Sequence, residues 1–224
     1  MDQSKMPISK KSFDIRYYFQ TSESVDLNQL QMTHVSTYST TPWRESNFIT
    51  RTILNFYNGT NPIIETAYDK LPIVTDSTSN CGGNTISFHL SGGFKKINAV
   101  EIDMETCNML KNNLKTYHMP IDNVYCCDYL SVYKNLRQDV IFLDPPWGGA
   151  DYKKTPCLDL YLSNINIIDL CFDIITNEMA SLLVLKLPIN YNLPQLINIL
   201  PNNTFLTHKI YRGHHHSYNV VFCW

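Results

Sequence analysis

The sequence predicts a doubly wound α/β fold with a mostly parallel sheet and an antiparallel last pair of strands. Short apolar runs alternate with segments of helical spacing, and acidic residues stand at the ends of several of these runs. At 224 residues, with 44% apolar and 17% charged residues, the chain can bury a core without disulfides or metal ions. In such sheets ligands bind beyond the carboxyl ends of the strands, so the residues that follow each strand are the first candidates for function.

The alternation begins at Pro42, so we expect a short N-terminal extension over residues 1–41 and one domain over 42–224. Helices are predicted at 48–56, 84–91, 104–117, 158–176 and 194–200, with a loop at 58–62 in which Gly59 ends the first of them. Strands are predicted at 71–76, 96–103, 123–128, 139–144 and 180–188, followed by an antiparallel pair at 208–212 and 217–224.

The composition argues against several classes of protein. No apolar run is long enough to span a membrane, and residues 1–11 lack the apolar centre of a signal peptide, so we expect an intracellular protein. A net charge of −2 and a pI near 6.4 disfavour a protein that coats long nucleic acids, and favour one that binds a single nucleotide or an end. The seven cysteines form no C-x-x-C pair. Those in apolar runs are expected to be buried reduced thiols (Cys107, Cys126, Cys127, Cys171, Cys223).

The residues after the first three strands are typical of a nucleoside site. The stretch "DSTSNCGGNT" (76–85) places Gly82 and Gly83 just before a helix whose N–H groups would point at a ligand, with a spacing unlike that of the dinucleotide motif. Glu101 follows the second strand, where an acid accepts hydrogen bonds from ribose hydroxyls, and Asp128 follows the third, where it suits an adenine amino group. Each acid alone is typical of a solvated strand end. Together they predict a nucleoside-binding edge.

The stretch "VIFLDPPWGGADY" (140–152) follows the same logic at the fourth strand. Pro145 and Pro146 remove two N–H donors, so the carbonyls and the Asp144 side chain remain as acceptors for an exocyclic amine. Trp147 offers a face on which a base can stack, and a cationic purine would gain further through cation–π attraction. The alternative, a proline-rich turn with a core tryptophan, is disfavoured by the position of the motif at a strand end.

D-P-P-W after the fourth strand is the signature of methyltransferases that act on exocyclic amines with S-adenosylmethionine. "DPPWGGADY" and "CGGNT" (81–85), together with "YSTTP" (38–42) and "LPIN" (187–190), resemble the trimethylguanosine synthase family of RNA cap guanine-N2 methyltransferases. The resemblance runs from about Phe13 to Gln195 and implies a Rossmann-like methyltransferase sheet, S-adenosylmethionine as cofactor, and no metal. It also implies methylation of the 2-amino group of a 7-methylguanosine cap, with one or two methyl additions left open.

The resemblance also assigns site residues. Those that fall on the family's cofactor site are Asp76, Gly82, Gly83, Asn84, Thr85, Glu101 and Asp128. Asp144, Pro145 and Pro146 fall on the catalytic corner. Those expected to bind the cap are Trp147, Ser39, Thr41, Pro42, Lys153 and Asn190.

The chain departs from the family pattern at two positions. Asn80 stands where the family has the first loop glycine, and asparagine tolerates a positive φ better than most residues. Ile189 replaces the arginine of L-P-R-N, which in the family helps hold the cap phosphates. Lys153, Lys154 and Lys186 are the candidates to take over that contact.

The implied partner is a 7-methylguanosine-capped RNA (snRNA, snoRNA or viral mRNA) or the free cap nucleotide. The protein is expected to be a monomer that does not bind a membrane. The location would be the nucleus of a cell, or the host cytoplasm or virion factory for a virus.

Three alternatives remain: an adenine-N6 methyltransferase on DNA or RNA, an inactive cap-binding module, and a small-molecule dehydrogenase, which the loop spacing disfavours. "GHHHSY" (213–218) is interpreted as a loop entering the last strand rather than a metal site.

Overall fold

The computed structural model describes residues 14–60, 71–149, 151–200 and 204–224, without the side chains of 58–60. The strands are β1 (Ile73–Asp76), β2 (Lys96–Val100), β3 (Val124–Tyr125), β4 (Val140–Leu143), β5 (Tyr161–Leu162), β6 (Ile165–Asn166), β7 (Leu182–Pro188), β8 (Phe205–Arg212) and β9 (His215–Cys223). The helices are α1 (Ile15–Tyr18), α2 (Ser36–Ser39), α3 (Trp43–Thr60), α4 (Gly83–Ser91), α5 (Met104–Thr116), α6 (Ile167–Thr176) and α7 (Leu193–Ile197). None of the helices in these ranges is long and apolar enough to cross a membrane.

The main sheet has seven strands in the order β3-β2-β1-β4-β7-β9-β8. β1, β2 and β3 pair in parallel, as do β4 and β7, whereas β9 runs antiparallel to both β7 and β8. β1, β4 and β7 are buried along their whole length, which explains why they appear in the sequence as continuous apolar runs. The predicted doubly wound sheet with an antiparallel last pair is confirmed.

The backbone divides into two compact units, one ending at Tyr129 and one beginning at Leu130. In the N-terminal unit the predicted extension is part of the core. Its apolar side chains Phe19, Val25, Leu30 and Met32 pack in one cluster with Cys81, Ile86, Ala99, Leu110, Leu114 and Tyr117. The proposed division at residue 41 therefore separates two segments that share one cluster.

Hydrogen bonds hold this extension to α5 at several points. The Tyr117 hydroxyl donates to the carbonyl of Gln20 at 2.6 Å, and the Asn112 amide donates to the carbonyl of Gln29 at 2.7 Å. The indole N–H of Trp43 donates to the carbonyl of Arg16 at 3.0 Å, which ties the start of α3 to the same segment. The weak periodicity of the extension is explained by this irregular, side-chain-bonded path.

Three local expectations were wrong. The helix predicted at 158–176 begins at Ile167, because Ser163 adopts a positive φ of 51° between β5 and β6 and Asn166 caps the helix by accepting from the N–H of Ile168. The loop predicted from residue 58 begins later, since α3 continues to Thr60, and residues 61–62 lie outside the described part. Cys107 and Cys126 form a disulfide rather than reduced thiols, because the start of α5 brings Cys107 beside the end of β3.

Candidate functional site

The loop after β1, residues 76–85, is supported from inside by its own polar side chains. Asp76 is buried, and its Oδ2 accepts a hydrogen bond from the Thr85 hydroxyl at 2.5 Å. Asn80 has a φ of 48° and Gly82 a φ of 103°, so the chain turns twice through the left-handed region before α4 begins at Gly83. The prediction that asparagine can replace the glycine at position 80 is confirmed by this geometry.

The segment 38–42 packs on the start of α4. A Cβ atom at Gly83 would lie 2.7 Å from Thr40 Cγ2 and 2.8 Å from the carbonyl oxygen of Thr41, so a larger residue does not fit. The Asn84 amide donates to Thr41 Oγ1 at 3.1 Å. Thr41 and Pro42 are buried, whereas Ser39 is exposed. The structure thus brings two groups of predicted site residues together, namely the 38–42 segment and the glycine loop.

Asn113 is a supporting residue that sequence analysis did not single out. It is fully buried, its amide donates to the carbonyls of Gln31 and Cys81, and its Oδ1 accepts from the N–H of Gln31. It therefore connects the extension, α5 and the glycine loop. The only sequence signal is its place beside Leu110 and Leu114 on the buried face of the helix, where an asparagine must find partners.

Glu101 follows β2 and holds the loop from the other side. Its Oε2 accepts from the N–H of Asn80 at 2.8 Å, and its Oε1 accepts from the N–H of Asp103 at 2.9 Å. Burial raises the pKa of Glu101 above its usual range, and these two N–H groups act in the opposite direction. Each carboxylate oxygen keeps a further lone pair, so Glu101 can accept from a ligand while it stabilises the turn.

Two further acceptors accompany Glu101 in this unit. Asp128 is half-buried after β3, two residues beyond Cys126, whose disulfide to Cys107 ties this strand end to α5. The Oδ1 atom of Asn84 is buried and has no hydrogen-bond partner among the described residues. Two carboxylates and an orphaned amide oxygen suit a ligand rich in donors, with hydroxyl and amino groups.

The C-terminal unit contains the second group of candidates, at the end of β4. Leu143 of β4 is paired with Leu185 of β7, so the next residues along each strand, Asp144 and Lys186, come side by side. Lys186 Nζ lies 2.6 Å from Asp144 Oδ2, and the two side chains are only 7% and 13% exposed. Burial raises the pKa of Asp144 above its usual range, while the Lys186 ammonium and the Trp147 indole act in the opposite direction.

Trp147 stands in an aromatic cluster around the same lysine. Its ring is 5.2 Å from that of Tyr152 and 6.2 Å from that of Tyr218, and Lys186 Nζ lies 5.1 Å from its centroid. The buried Nε1 atom influences the Asp144 carboxyl but does not reach hydrogen-bond geometry with any described group. The ring itself is half-buried, so part of it remains accessible to a ligand.

The flanking residues of this corner differ in their surroundings. Pro145 is buried and Pro146 is exposed. Gly148 and Gly149 have φ values of 92° and 82°, which lets the chain turn away immediately after the tryptophan. The corner therefore presents the Asp144 carboxyl, the carbonyl groups of the two prolines and one aromatic ring. Residues 145 and 146 contribute no N–H donor to it.

The predicted cap-binding residues of this unit fall into two kinds. Asn190 is structural as well as accessible: its amide donates to the carbonyls of Tyr152 at 2.9 Å and Thr155 at 2.6 Å, which fixes the segment after Trp147. Lys153 and Lys154 are exposed, and Lys154 pairs with Asp151 at 2.8 Å. Lys186 is buried against Asp144, so it does not offer a surface phosphate contact. Ile189 is exposed.

Within the described ranges no group of three or more His, Cys, Asp or Glu side chains is placed to hold a metal ion. The histidines of "GHHHSY" lie at the turn between β8 and β9, with His214 in the turn and His215 and His216 in β9.

Comparison with known proteins identifies the family. A family model described as RNA cap guanine-N2 methyltransferase matches residues 72–220, more than half of the chain. An uncharacterized protein of Acanthamoeba polyphaga mimivirus (L320) is 31% identical over 59% of this chain and 52% of its own length. Trimethylguanosine synthase of Schizosaccharomyces pombe is 26% identical over 80% of this chain and 72% of its own length. The chain thus spans about half the length of the mimivirus relative.

A solved structure shows the same fold. The T. thermophilus 16S rRNA N2 G1207 methyltransferase, in complex with AdoMet and guanosine, superimposes with a TM-score of 0.52 at 15% identity. The match covers 80% of this chain and 42% of that protein.

Proposed function

Because the chain belongs to the RNA cap guanine-N2 methyltransferase family, we propose that it transfers a methyl group from S-adenosylmethionine to the 2-amino group of a 7-methylguanosine RNA cap. The observation that carries this proposal is the corner after β4, where the acceptor Asp144 lies beside the accessible ring of Trp147. An amine acceptor next to a stacking platform is what methylation of an exocyclic base amine requires.

The cofactor site proposed here is the loop 76–85 with Glu101 and Asp128. Glu101 would accept from the ribose hydroxyls and Asp128 from the adenine amino group, while the orphaned Oδ1 of Asn84 suits the amino group of the methionine part. Asp76, Gly82, Gly83 and Thr85 belong to the same proposed site: the Thr85 hydroxyl donates to Asp76 Oδ2, and the lack of a side chain at Gly83 lets the 38–42 segment pack against the loop. When bound, S-adenosylmethionine supplies an electrophilic methyl group on a sulfonium, whose S–C electron pair stays on the sulfur as the methyl leaves.

Asp144 directs the amine in this proposal. Its carboxylate and the carbonyl of Pro145 accept hydrogen bonds from the two N–H groups of the guanine 2-amino group. This leaves the nitrogen lone pair free to form the new N–C bond. The nitrogen then carries an extra proton, which passes to Asp144 or to water after the methyl has been transferred. Lys186 keeps Asp144 charged within a buried environment, where an unpaired carboxylate would take up a proton instead.

Trp147 selects the base in this proposal. Methylation at position 7 gives guanine a positive charge, and a cationic ring stacks on an indole more strongly than a neutral one. Stacking of a base on an aromatic side chain contributes about 1–3 kcal/mol. Tyr152 and Tyr218 contact the indole at its sides and hold its plane.

The decisive experiment is mass spectrometry of 7-methyl-GTP and GTP after incubation with the protein and S-adenosylmethionine. We expect 7-methyl-GTP to gain the mass of one or two methyl groups and GTP to gain none. The number of added methyl groups also distinguishes a dimethyl from a trimethyl product. Methylation of GTP at an equal rate, or of neither nucleotide, would reject the proposal.

The adenine-N6 alternative is not favoured, because the family description specifies guanine N2. An adenine-containing oligonucleotide in the same assay tests it directly. An inactive cap-binding module would retain 7-methyl-GTP without transferring a methyl group, so the same assay separates it from an enzyme. The partner that we propose is a capped RNA, bound by a monomer. We propose that the protein is located where that RNA is made, which is the nucleus for a cellular RNA and the host cytoplasm or virion factory for a viral one.

A further inference from the structure

The hairpin of β8 and β9 ends in a tip, residues 209–216, that the proposed mechanism does not use. Lys209, Tyr211, Arg212, His214 and His215 are exposed there, and Tyr211 is 56% exposed although it is aromatic. The Tyr211 ring lies 5.3 Å from that of His216, which holds it against the hairpin. The tip therefore presents cationic groups around one ordered aromatic ring.

The charge around this tip differs from that of the rest of the chain. The chain has 20 acidic and 18 basic residues, yet no Asp or Glu occurs from Met179 to Trp224. That segment contains Lys186, Lys209 and Arg212 together with His208, His214, His215 and His216. Lys186 is buried against Asp144, whereas Lys209 and Arg212 are exposed. A segment that contributes two exposed cations and no acid to the surface favours contact with a polyanion.

The tip is connected to Trp147 through β9. Tyr218, whose ring contacts Trp147, is paired with Ile210 of β8, and Arg212 follows Ile210 by two residues, about 7 Å along the strand. Arg212 also acts on Tyr152, the other ring beside Trp147, by lowering a pKa that burial raises. A chain that leaves a base stacked on Trp147 is therefore within a few nucleotides' reach of the tip.

We propose that the tip binds the RNA strand next to the cap, with Lys209 and Arg212 on phosphates and Tyr211 stacked on a base. The placement rests on the proposed function, which puts the cap base at Trp147. Single-stranded nucleic acids are bound by such a combination of cations and aromatic rings. A membrane surface is a poorer fit, because membrane-binding segments insert several large apolar side chains, whereas the exposed residues of the tip include one aromatic side chain, Tyr211, and no aliphatic one.

The test separates the tip from the methyl-transfer site by using two ligands. Binding of an uncapped, fluorescently labelled single-stranded RNA of about ten nucleotides is measured by anisotropy, and methylation of 7-methyl-GTP and of a capped RNA of the same length by mass spectrometry. The variants are Lys209→Ala/Arg212→Ala and Tyr211→Ala, with Tyr211→Phe retaining the ring. Lys115→Ala, an exposed lysine of α5, is the control for loss of a positive charge.

We expect the double variant to bind uncapped RNA at least tenfold more weakly. The slope of its log Kd plotted against log salt concentration should be smaller by about one to two. Its KM for capped RNA should rise to that for 7-methyl-GTP, with the rate on 7-methyl-GTP unchanged. Tyr211→Ala should weaken RNA binding about fivefold or more, while Tyr211→Phe and Lys115→Ala should not.

Three outcomes would overturn the assignment: unchanged RNA binding by the double variant, an equal loss in the Lys115→Ala control, or binding to anionic phospholipid vesicles but not to RNA. Failure of the wild-type protein to methylate 7-methyl-GTP would reject the proposed function. The anisotropy measurement would still decide whether the tip binds RNA.

Discussion

Lys186 Nζ lies 2.6 Å from Asp144 Oδ2 in a region where both side chains are almost wholly buried. The same ammonium lies 5.1 Å from the ring centroids of both Trp147 and Tyr218. A buried ion pair of this kind gains little net stability, because desolvation of the two charges offsets their attraction. The ammonium favours the ionised form of the carboxylate at the end of β4, whereas burial favours the protonated form and raises the pKa of Asp144.

Replacing Lys186 with methionine should therefore shift the pH dependence of activity. Asp144 already has a raised pKa, and loss of the neighbouring cation raises it further, so the acid limb of the kcat/KM profile should move toward neutral pH. Lys186→Arg retains the charge and should leave that limb near its wild-type position. An unchanged acid limb in Lys186→Met would show that Asp144 does not control the rate.

The same substitution also predicts a stability change whose size depends on pH. An acid with a folded pKa above its unfolded value binds more protons when folded, so stability is lost as pH rises through that window. At neutral pH, Lys186→Met leaves a buried carboxylate without its cation and should lower the free energy of unfolding by about 3–5 kcal/mol. Urea titrations at two pH values measure this, and the double variant with Asp144→Asn should recover part of the loss.

Trp147→Ala should remove most activity toward 7-methyl-GTP while S-adenosylmethionine binding is largely retained. Loss of about 1–3 kcal/mol of stacking corresponds to a rise in KM of between about fivefold and 150-fold. Trp147→Phe retains a smaller ring, so its KM for 7-methyl-GTP should lie between that of the wild type and that of Trp147→Ala. Calorimetric titration with S-adenosylhomocysteine provides the control for cofactor binding, and wild-type KM in Trp147→Ala would contradict the role of the ring.

The sequence predicts the main sheet and the order of its elements because buried parallel strands appear as continuous apolar runs between helical segments. The turn at Asn80 was expected from the family's glycine at that position and from the tolerance of asparagine for a positive φ, which is 48° in the structure. These features depend on short stretches of chain. The candidate residues at the strand ends were predicted from similar local signals, namely an acid followed or preceded by glycine or proline. The 38–42 segment, Lys153 and Asn190 were assigned only by the family resemblance, and their roles stay predictions.

Features that depend on packing between distant segments were not predictable. The Asp144–Lys186 pair follows from the register of β4 against β7, which no local pattern specifies. Phe19 and Leu30 are buried with residues of α5, and the Asn112 and Asn113 amides bind the irregular backbone of the same segment, which has no periodicity. The hairpin at 161–166 was read as helix because its apolar residues fit both periods over so short a span.

Asn80 is expected to tolerate glycine but not alanine. At a φ of 48°, glycine costs little, although the hydrogen bond from the N–H of Cys81 to Asn80 Oδ1 is lost. Asn80→Ala loses that bond and adds left-handed strain of about 1–2 kcal/mol. Thermal unfolding and the Kd for S-adenosylhomocysteine should both rank wild type and Asn80→Gly above Asn80→Ala. Equal values for all three would show that the turn does not depend on this conformation.

Binding of S-adenosylmethionine should weaken on acidification because of Glu101. Burial raises the pKa of this carboxyl above its usual range, so it becomes protonated at a higher pH than an ordinary glutamate. Protonation reduces the acceptor capacity of the Glu101 carboxyl, whose oxygens accept from the N–H groups of Asn80 and Asp103 and, in our proposal, from the ribose hydroxyls. Kd measured from neutral pH downward should rise in the wild type and change little in Glu101→Gln, which binds weakly throughout. Parallel curves for the two proteins would assign the pH effect to another group.

The disulfide between Cys107 and Cys126 should stabilise the N-terminal unit at the edge that contains Asp128. It closes a loop with a sequence separation of 19, which corresponds to about 3 kcal/mol of stabilisation through the unfolded chain. Alkylation of the denatured, unreduced protein should label the five free cysteines, and all seven should react after reduction. Cys107→Ser should unfold at the same denaturant concentration as the reduced wild type, and the exposed-site control Cys157→Ser should match the oxidised wild type.

If the disulfide orders the end of β3, reduction should also weaken S-adenosylmethionine binding. Seven labels before reduction would show that the two thiols are not joined.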